Sequence, residues 1–338
     1  MQEITTVGLD LAKQVFHLVG CNQHGKEVSK KMLRRQHVLT YFASLPACLI
    51  GLEACAGAHD WARKLQALGH EVRLIAAQHV KAYLRGNKND FNDARAIAEA
   101  VVRPGMRFVA IKTVEQQDLQ ALHRLRQARI AERTALCNQL RGLLAEYGIV
   151  LTQGVACLRK TLPTLLEETE NALSNRLRSW LARAYQQLCE VDEHIEYYNA
   201  QLKRHAHTQP AVKRLQTAPG FGPVVASVFY GMVGNGQAYR RGRDVAAALG
   251  LVPKQHSSGG KSVLLGISKR GDGYLRSLLV HAARAVIRQS ARKTDRLNNW
   301  INRLKVKRGM HKTIVALANK LARIGWALLR HDTVYQTA

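Results

Sequence analysis

Residues 4–10 read ITTVGLD, an apolar run rich in β-branched side chains that ends on Asp10. Two further strand patterns follow at 15–21 and 27–33, and turn-forming residues separate them at 22–26. Helix and strand patterns then alternate along the chain: helix 36–45, strand 48–53, helix 59–68, strand 71–76 and helix 90–102. The sequence therefore predicts an α/β domain at 1–110, with a mixed sheet that carries helices on its faces. This order of elements is the one expected of an RNase H-like domain.

Four carboxylates occupy special places in this pattern. Asp10 and Glu53 each end a predicted strand, while Asp90 and Asp93 lie three residues apart at a helix start and so share one helix face. Carboxylates brought together repel one another unless a divalent cation lies between them, and hard oxygen ligands suit Mg²⁺ or Mn²⁺. Two such ions support phosphodiester chemistry. Each acid alone has an ordinary alternative, for example Asp90 as a helix cap, so the argument depends on the four together.

The middle of the chain, 111–208, is predicted to be a helical spacer with a coiled-coil contact. Eight apolar residues between 177 and 202 follow a strict heptad spacing: Leu177, Leu181, Ala184, Leu188, Val191, Ile195, Tyr198 and Leu202. An earlier helix at about 114–147 offers a partner seam: Leu119, Leu122, Leu136, Leu140, Leu143 and Tyr147. An internal helical hairpin and a contact between two subunits both fit this pattern.

The charge of the chain points to a polyanion. The 338 residues include 51 Lys and Arg against 24 Asp and Glu, a net charge of +27. The net charge is +6 over residues 1–110, +2 over 111–210 and +19 over 211–338. With 46% hydrophobic residues the chain has enough apolar side chains for packed cores. The C-terminal segment 209–338, predicted to be mostly helical, therefore carries most of the nucleic-acid-binding surface.

Composition excludes several other classes of protein. The uncharged stretches 36–52 and 215–239 are interrupted by proline or by glycines, so no membrane span is expected. The first residues, MQEITTVGLD, lack the basic and apolar regions of a signal peptide, so a cytoplasmic, nucleoid-associated protein is expected. The six cysteines form no CxxC pair and are interpreted as thiols rather than as zinc ligands.

A glycine-rich turn opens the C-terminal segment. Residues 215–222 read LQTAPGFG and precede a predicted helix at 223–233, the pattern of a helix-hairpin-helix turn. Gly220 and Gly222 would let backbone amides approach a phosphate, and the helix start adds partial positive charge. A tight turn between two packed helices is the alternative.

A serine loop follows at 250–261, GLVPKQHSSGGK. Its hydroxyls lie among Lys254, His256 and Lys261, so a serine here could attack a phosphodiester while the cations stabilise the developing charge. A merely flexible Ser-Gly loop has the same composition. Downstream, Lys269 and Arg270 in SKRGDGYLR are expected to contact the phosphate backbone.

Taken together, these motifs resemble the DEDD-type insertion-sequence transposases, the family that includes pilin-gene invertases and bridge-RNA-guided (seeker-RNA-guided) recombinases. The resemblance spans nearly the whole chain in order: VGLDLAK, GLEACAG and NKNDFNDARAIAE, then LQTAPGFGPVVA, AAALGLVPKQHSSGGK and ISKRGDGYLRSLLVHAARA. It implies a RuvC-like RNase H fold at 1–110, a helical coiled-coil domain at 111–208 and a transposase domain at 209–338.

The resemblance also implies roles for particular residues. Asp10, Glu53, Asp90 and Asp93 would bind the metal, and Ser258, with Ser257 as the neighbouring alternative, would form a phosphoserine intermediate with DNA. The acids and the serine would meet across subunits of a homo-oligomer, a dimer or a tetramer. Donor and target DNA and a noncoding guide RNA are the implied partners, and no membrane is involved.

Three functions compete at this point. The first is an RNA-guided recombinase that excises and inserts its own element, with a site-specific invertase as a close variant. The second is a Holliday-junction-type nuclease that uses only the four acids, which would leave the serine loop unexplained. The third is a non-catalytic nucleic-acid scaffold, which would leave the acids unexplained.

Overall fold

The computed structural model describes residues 3–87 and 89–337, which divide into two compact units at Thr113 and Val114. The first, here called the N-terminal unit, corresponds to the predicted domain at 1–110. The second, the C-terminal unit, contains both segments that the sequence suggested at 111–208 and 209–338.

The N-terminal unit is a six-stranded sheet with helices on both faces, as the sequence predicts. Its elements run in the order β1 (Thr6–Asp10), β2 (Val15–Cys21), β3 (Glu27–Arg34), α1 (Val38–Ala43), β4 (Leu49–Glu53), α2 (Ala58–Ala67), β5 (Glu71–Ile75), α3 (Ala77–Val80), α4 (Asp90–Val101) and β6 (Phe108–Val109). Short 3₁₀ turns precede α1 and follow α3. The strand order is β3-β2-β1-β4-β5-β6. This is an RNase H-like arrangement.

The sheet mixes antiparallel and parallel pairs. β1, β2 and β3 form an antiparallel meander, β1, β4 and β5 run parallel, and β6 is antiparallel to β5. Because β1 and β4 are parallel neighbours with Leu9 opposite Leu52, their terminal residues Asp10 and Glu53 lie at the same edge of the sheet.

Helix α4 packs unusually close to the strands that carry these acids. A Cβ on Gly8 would lie 2.0 Å from the Ala94 carbonyl oxygen, and one on Gly51 would lie 2.9 Å from Ile97 Cγ2. Alternate residues along a strand share a face, so Asp10 follows Gly8, and Glu53 follows Gly51, on the face that α4 covers. The two glycines therefore bring α4 down onto the acids' side of the sheet.

In its described residues, 114–337, the C-terminal unit consists of nine helices and one hairpin. Its elements are α5 (Val114–Ala145), α6 (Val155–Glu167), α7 (Asn175–Thr208), α8 (Pro210–Gln216), α9 (Pro223–Val233), α10 (Gly242–Ala248), β7 (Pro253–Ser258), β8 (Lys261–Ile267), α11 (Gly273–Ser290), α12 (Arg296–Arg308) and α13 (Met310–Arg330). Within residues 3–87 and 89–337, none of the helices has the length and apolarity needed to cross a membrane.

The heptad seam of α7 is covered within the same chain. Six of its eight residues are buried, and Leu181 and Leu188 belong to one apolar cluster with Leu140 of α5 and Leu158 of α6. This arrangement matches the internal helical hairpin. The last two residues of the seam predicted on α5, Leu143 and Tyr147, are not part of the helix contact, because their side chains are exposed. Leu144 is buried instead.

Candidate active site

Three carboxylates converge at the carboxyl edge of the sheet. One oxygen from each of Asp10, Asp90 and Asp93 can be chosen so that all three lie within 4.8 Å of one another. Asp10 ends β1, and the other two occupy the first turn of α4, three residues apart, as the sequence predicts. We call these three residues the acid cluster; it is the only group of three or more potential ligands this close in the described chain.

Glu53 lies beside the acid cluster at the end of β4. It is not within the 4.8 Å group, but the Asp93 charge is close enough to contribute to raising its pKa. Burial is the larger cause of that rise, because a partly buried carboxylate loses solvation when it ionises. The structure thus brings all four predicted acids to one edge, three closely and one at the margin.

The electrostatics of Asp10 reflect this crowding. Burial raises the pKa of Asp10 to about 6, and the charges of Asp93, Asp90 and Glu53 add to the shift. His17, which lies opposite Asp10 on β2, acts in the other direction. Its Nδ1 lies 3.5 Å from Asp90 Oδ2. A carboxyl group whose pKa is raised by burial and by neighbouring carboxylates is typical of a functional site.

The cap of α4 is Asn89 rather than Asp90. The Asn89 side-chain oxygen accepts a hydrogen bond of 2.9 Å from the Phe91 amide, which satisfies a helix-start donor. The capping alternative for Asp90 is therefore wrong, and its carboxylate is free to face the acid cluster. His17 was missed by sequence reasoning; only the β1–β2 register, which places it opposite Asp10, would have identified it.

The predicted serine loop is a β-hairpin. β7 and β8 pair antiparallel, and Gly259 and Gly260, both with positive φ (53° and 77°), form the two-residue turn between them. Such turns need φ above zero at both positions, which glycine adopts at little cost. Directly opposite residues share a face, so Ser258, Lys261 and His256 lie on one face, and Ser257 lies on the other. Both strands are almost entirely exposed.

Very close backbone contacts hold the two segments that flank this hairpin together, next to the end of α10. A Cβ on Gly250 would lie 2.4 Å from the backbone nitrogen and oxygen of Arg270, and one on Gly271 would lie 1.8 Å from the Ala248 oxygen. Lys269, one of the expected phosphate contacts, has a φ of 55°, which is unusual for a non-glycine residue. Lys254, Lys261 and Lys269 are all exposed to solvent.

The two glycines of the 215–222 turn differ in their surroundings. Gly220 has a φ of 83°, and its Cβ position lies 3.2 Å from Ala282 and Val286 of α11, so it fits the tight turn between packed helices. Gly222 is exposed and precedes α9, with nothing within 4 Å of its Cβ position. The open helix start at Gly222 agrees with the phosphate-binding interpretation.

Comparison with known proteins places these features in a family. A family model for IS110-type DEDD transposases, described as "Transposase", matches residues 7–149, and one described as "Transposase IS116/IS110/IS902 family" matches residues 212–297. A probable family 20 transposase from Pseudomonas aeruginosa is 45% identical over 98% of this chain and 99% of its own length. The transposase of insertion sequence element IS1111A from Coxiella burnetii is 44% identical over 99% of this chain and 92% of its own. The transposase of IS1328 from Yersinia enterocolitica is 41% identical over 99% of each.

The chain belongs to the IS110/IS116 family of transposases. It is thus an enzyme that cleaves DNA and transfers its strands. All four acids fall within the first matched segment, and Ser258, Gly220 and Gly222 fall within the second. The resemblance that the sequence motifs showed is confirmed, together with the RNase H-like fold.

A DEDD transposase domain implies the use of a divalent metal, and the residues present fit one. The acid cluster offers only hard carboxylate oxygens, the ligands that Mg²⁺ and Mn²⁺ prefer. Burial is the main cause of the raised pKa of Asp10, and the charges of Asp93, Asp90 and Glu53 add to it; a bound cation would offset the repulsion among these carboxylates. In this transposase Asp10, Asp90 and Asp93 are the residues best placed to hold the ion.

Proposed function

We propose that this transposase excises and inserts an insertion sequence under the guidance of a noncoding RNA, and that it uses the four acids to bind Mg²⁺ or Mn²⁺ and Ser258 as the nucleophile. The observation that carries the catalytic part is the convergence of Asp10, Asp90 and Asp93 within 4.8 Å at one sheet edge. A scaffold without catalysis gains nothing from such mutual repulsion.

The proposed covalent step takes place at Ser258. The hydroxyl gives up its proton, the Oγ–phosphorus bond forms, the bond from phosphorus to the deoxyribose oxygen breaks, and that oxygen takes up a proton. Attack by a second DNA hydroxyl on the phosphoserine reverses these changes and releases the serine. Lys261, opposite Ser258 in the hairpin, is placed to stabilise the negative charge of the transition state.

The acids serve the same phosphate in this proposal. A divalent ion held by Asp10, Asp90 and Asp93 would supply electrophilic stabilisation to the scissile phosphate. Glu53, at the margin of the acid cluster, would complete the ligand set. We propose that a homo-oligomer, dimer or tetramer, brings the acids of one subunit to the Ser258 hairpin of another.

The remaining cations are assigned to binding. Pro223 has no backbone N–H, so the amides of Val224 and Val225 at the start of α9 would contact phosphate. Lys254, His256, Lys269 and Arg270 would add contacts that position the nucleic acid. The net charge of +19 over residues 211–338 supports a polyanion partner.

The test is to trap a protein–DNA adduct that survives denaturant. Wild-type protein with donor DNA and Mg²⁺ should form it, and Ser258→Ala should not. If Ser258→Ala cleaves donor DNA as fast as wild type, Ser258 is not the nucleophile. If Ser257→Ala and the double variant also cleave as fast as wild type, the nuclease that uses only the acids is the correct function. Sequencing RNA that co-purifies with the protein tests the guide: one reproducible structured RNA supports it, and random cellular RNA contradicts it. Sequencing the joined products separates insertion from inversion.

A further inference from the structure

The N-terminal unit contains a basic cavity that none of these assignments uses. It has a volume of about 680 Å³ and lies where the start of β2, the end of β3 and helices α1 and α2 meet. Its polar and aromatic lining comprises Gln14, Arg34, Arg35, Gln36, Trp61 and Lys64. We call this cavity the basic pocket.

The basic pocket lies at the same end of the sheet as the acid cluster. Val15, the first residue of β2, pairs with Arg34, the last of β3, and two residues further along His17 pairs with Asp10. The pocket and the cluster occupy opposite faces there. Phe16 packs edge-to-face on Trp61 at 4.8 Å between ring centroids, whereas its neighbour His17 faces Asp90 on the α4 side.

The cations of the pocket are held in place but only partly neutralised. The Arg35 guanidinium lies 5.2 Å from the Trp61 ring centroid and donates to the Lys13 carbonyl oxygen at 3.4 Å. Lys64 pairs with Asp60 at 2.8 Å, and Arg34 has no ion pair within the described chain. Arg34, Arg35 and Lys64 carry three positive charges, and Asp60 neutralises one of them. A net charge of +2 therefore remains to attract a ligand.

The chemistry of the lining selects phosphate over a nucleobase. The Trp61 side chain forms the floor, but only 4% of the residue is exposed and Arg35 covers its ring, so no face is left for a base to stack on. Guanidinium, ammonium and amide groups all donate hydrogen bonds to phosphate oxygens. The walls therefore suit the backbone of a polynucleotide.

We propose that the basic pocket binds the phosphodiester backbone of a nucleic-acid strand that crosses this edge of the sheet. The acids repel phosphates, and the cations on the opposite face of the same sheet end offset that repulsion and hold the strand as it crosses that end. The inference rests on the nucleic-acid activity of the proposed function, but on neither the Ser258 nucleophile nor the metal.

The test measures binding by the full-length protein in EDTA, so that catalysis is absent. Arg34→Gln/Lys64→Gln leaves Arg35, which packs on two aromatic rings, in place. The single variant Arg34→Gln is compared with Lys26→Gln, its matched control, because each removes one positive charge. Lys26 lies just before β3, at the other end of β2 from the pocket. The probes are a fluorescein-labelled DNA duplex, labelled oligo(dT) and a labelled RNA duplex.

Counterion release predicts that each lost phosphate contact weakens duplex binding about fivefold at physiological salt, with a log–log salt slope smaller by about 0.9. The double variant should therefore lose more than tenfold, and Lys26→Gln less than twofold. Weaker binding of the DNA probes alone would assign the pocket to substrate DNA, and weaker binding of the RNA duplex alone would assign it to the guide. Either outcome supports the proposal. Affinities of Arg34→Gln and of the double variant equal to that of Lys26→Gln for every probe would overturn it. Ser258→Ala should bind normally here, so a failure of the serine chemistry remains distinguishable.

Discussion

The Gln255 side-chain amide donates a hydrogen bond of 2.9 Å to Ser257 Oγ, across one face of the β7–β8 hairpin. Ser258 faces the other side, opposite Lys261, and its hydroxyl has no hydrogen bond within the described chain. The two adjacent serines, which the sequence does not separate, are thus in different environments. One hydroxyl is engaged by a neighbour and the other is presented beside a cation.

Substitution of the two serines should therefore have unequal effects. We expect Ser258→Ala to lower strand cleavage by on the order of 10³-fold or more, because no other group replaces a lost nucleophile. Ser257→Ala removes one exposed hydrogen bond and should change the rate by less than about tenfold. Single-turnover cleavage of labelled donor DNA measures both. The reverse order of effects would assign the nucleophile to Ser257.

The pH dependence of stability should report on Asp10. Its folded pKa of about 6 lies above the ordinary value of 3.8, so the native state favours the protonated form. That contribution to stability is fully present below pH 3.8 and is lost as the pH rises through 6. In EDTA, the difference in unfolding temperature between wild type and Asp10→Asn should therefore grow in favour of the variant as the pH rises from 4 to 7.

Divalent metal should reverse this behaviour. Mg²⁺ or Mn²⁺ binds the ionised carboxylates of the folded protein, so it should raise the unfolding temperature at pH 7 and have little effect at pH 4. Asp10→Asn should show a much smaller response, and Asp60→Asn, an acid of α2 outside the acid cluster, should respond as wild type does. Equal stabilisation of wild type and Asp10→Asn by metal would contradict the assignment.

The close approach of α4 to β1 predicts a large effect at Gly8. Gly8→Ala places a methyl group 2.0 Å from the Ala94 oxygen and 2.5 Å from the Ala98 nitrogen, so α4 must move outward. We expect a loss of on the order of 1–3 kcal/mol in unfolding free energy, as in other overpacked cores. We also expect weaker metal binding, because Asp90 and Asp93 move with α4.

Gly142→Ala is the control for this effect. Gly142 lies within helix α5, and nothing lies within 4 Å of its Cβ position. Alanine there should stabilise the helix by about 0.5–1 kcal/mol. Denaturant titration compares the two variants. A Gly8→Ala protein as stable as wild type and with unchanged metal affinity would show that α4 does not set the spacing of the acids.

The sequence predicted the N-terminal unit closely, because its signals are local. The bounds of β1 to β5 were predicted to within two residues, whereas the two-residue strand β6 was not predicted. Helix α4 was expected at 90–102 and is observed at Asp90–Val101. The four acids could be found because parallel strands end at one edge. The register that places His17 opposite Asp10 is a property of strand pairing, so no pattern within one segment reveals it.

The hairpin was missed for a different reason. The segment KQHSS of β7 contains no apolar alternation, and both its faces are exposed, so hydrophobic periodicity gives no strand signal. The remaining clue was the pair Gly259-Gly260, because two adjacent glycines are typical of a two-residue hairpin turn. On α5 the misplaced seam at Leu143 arose because a long helix offers several apolar rows, and tertiary packing alone selects the row that contains Leu144.

Arg276 should act as a positioning residue for the hairpin. Its Nη1 donates to the Leu249 carbonyl oxygen at 3.0 Å and to the Arg270 carbonyl oxygen at 2.9 Å, which joins the end of α10 to the segment that follows β8. Two further backbone hydrogen bonds, from Ser268 to Val252 and from Lys269 to Gly250, close the same base. We therefore expect Arg276 to fix the direction in which the hairpin, and with it Ser258, leaves the helices.

Arg276→Met should loosen that base without removing a reacting group. We expect faster hydrogen exchange at the amides of Ser268 and Lys269, and adduct formation slower by up to about 100-fold, the effect of a misplaced reacting atom. Arg284→Met is the matched control, because Arg284 is an exposed arginine on the same helix α11. DNA affinity should fall by a similar small factor in both variants, since each loses one positive charge. If the two variants formed the adduct at the same rate, Arg276 would have no positioning role, and the stiffness of the hairpin base would come from the close contacts of Gly250 and Gly271 alone.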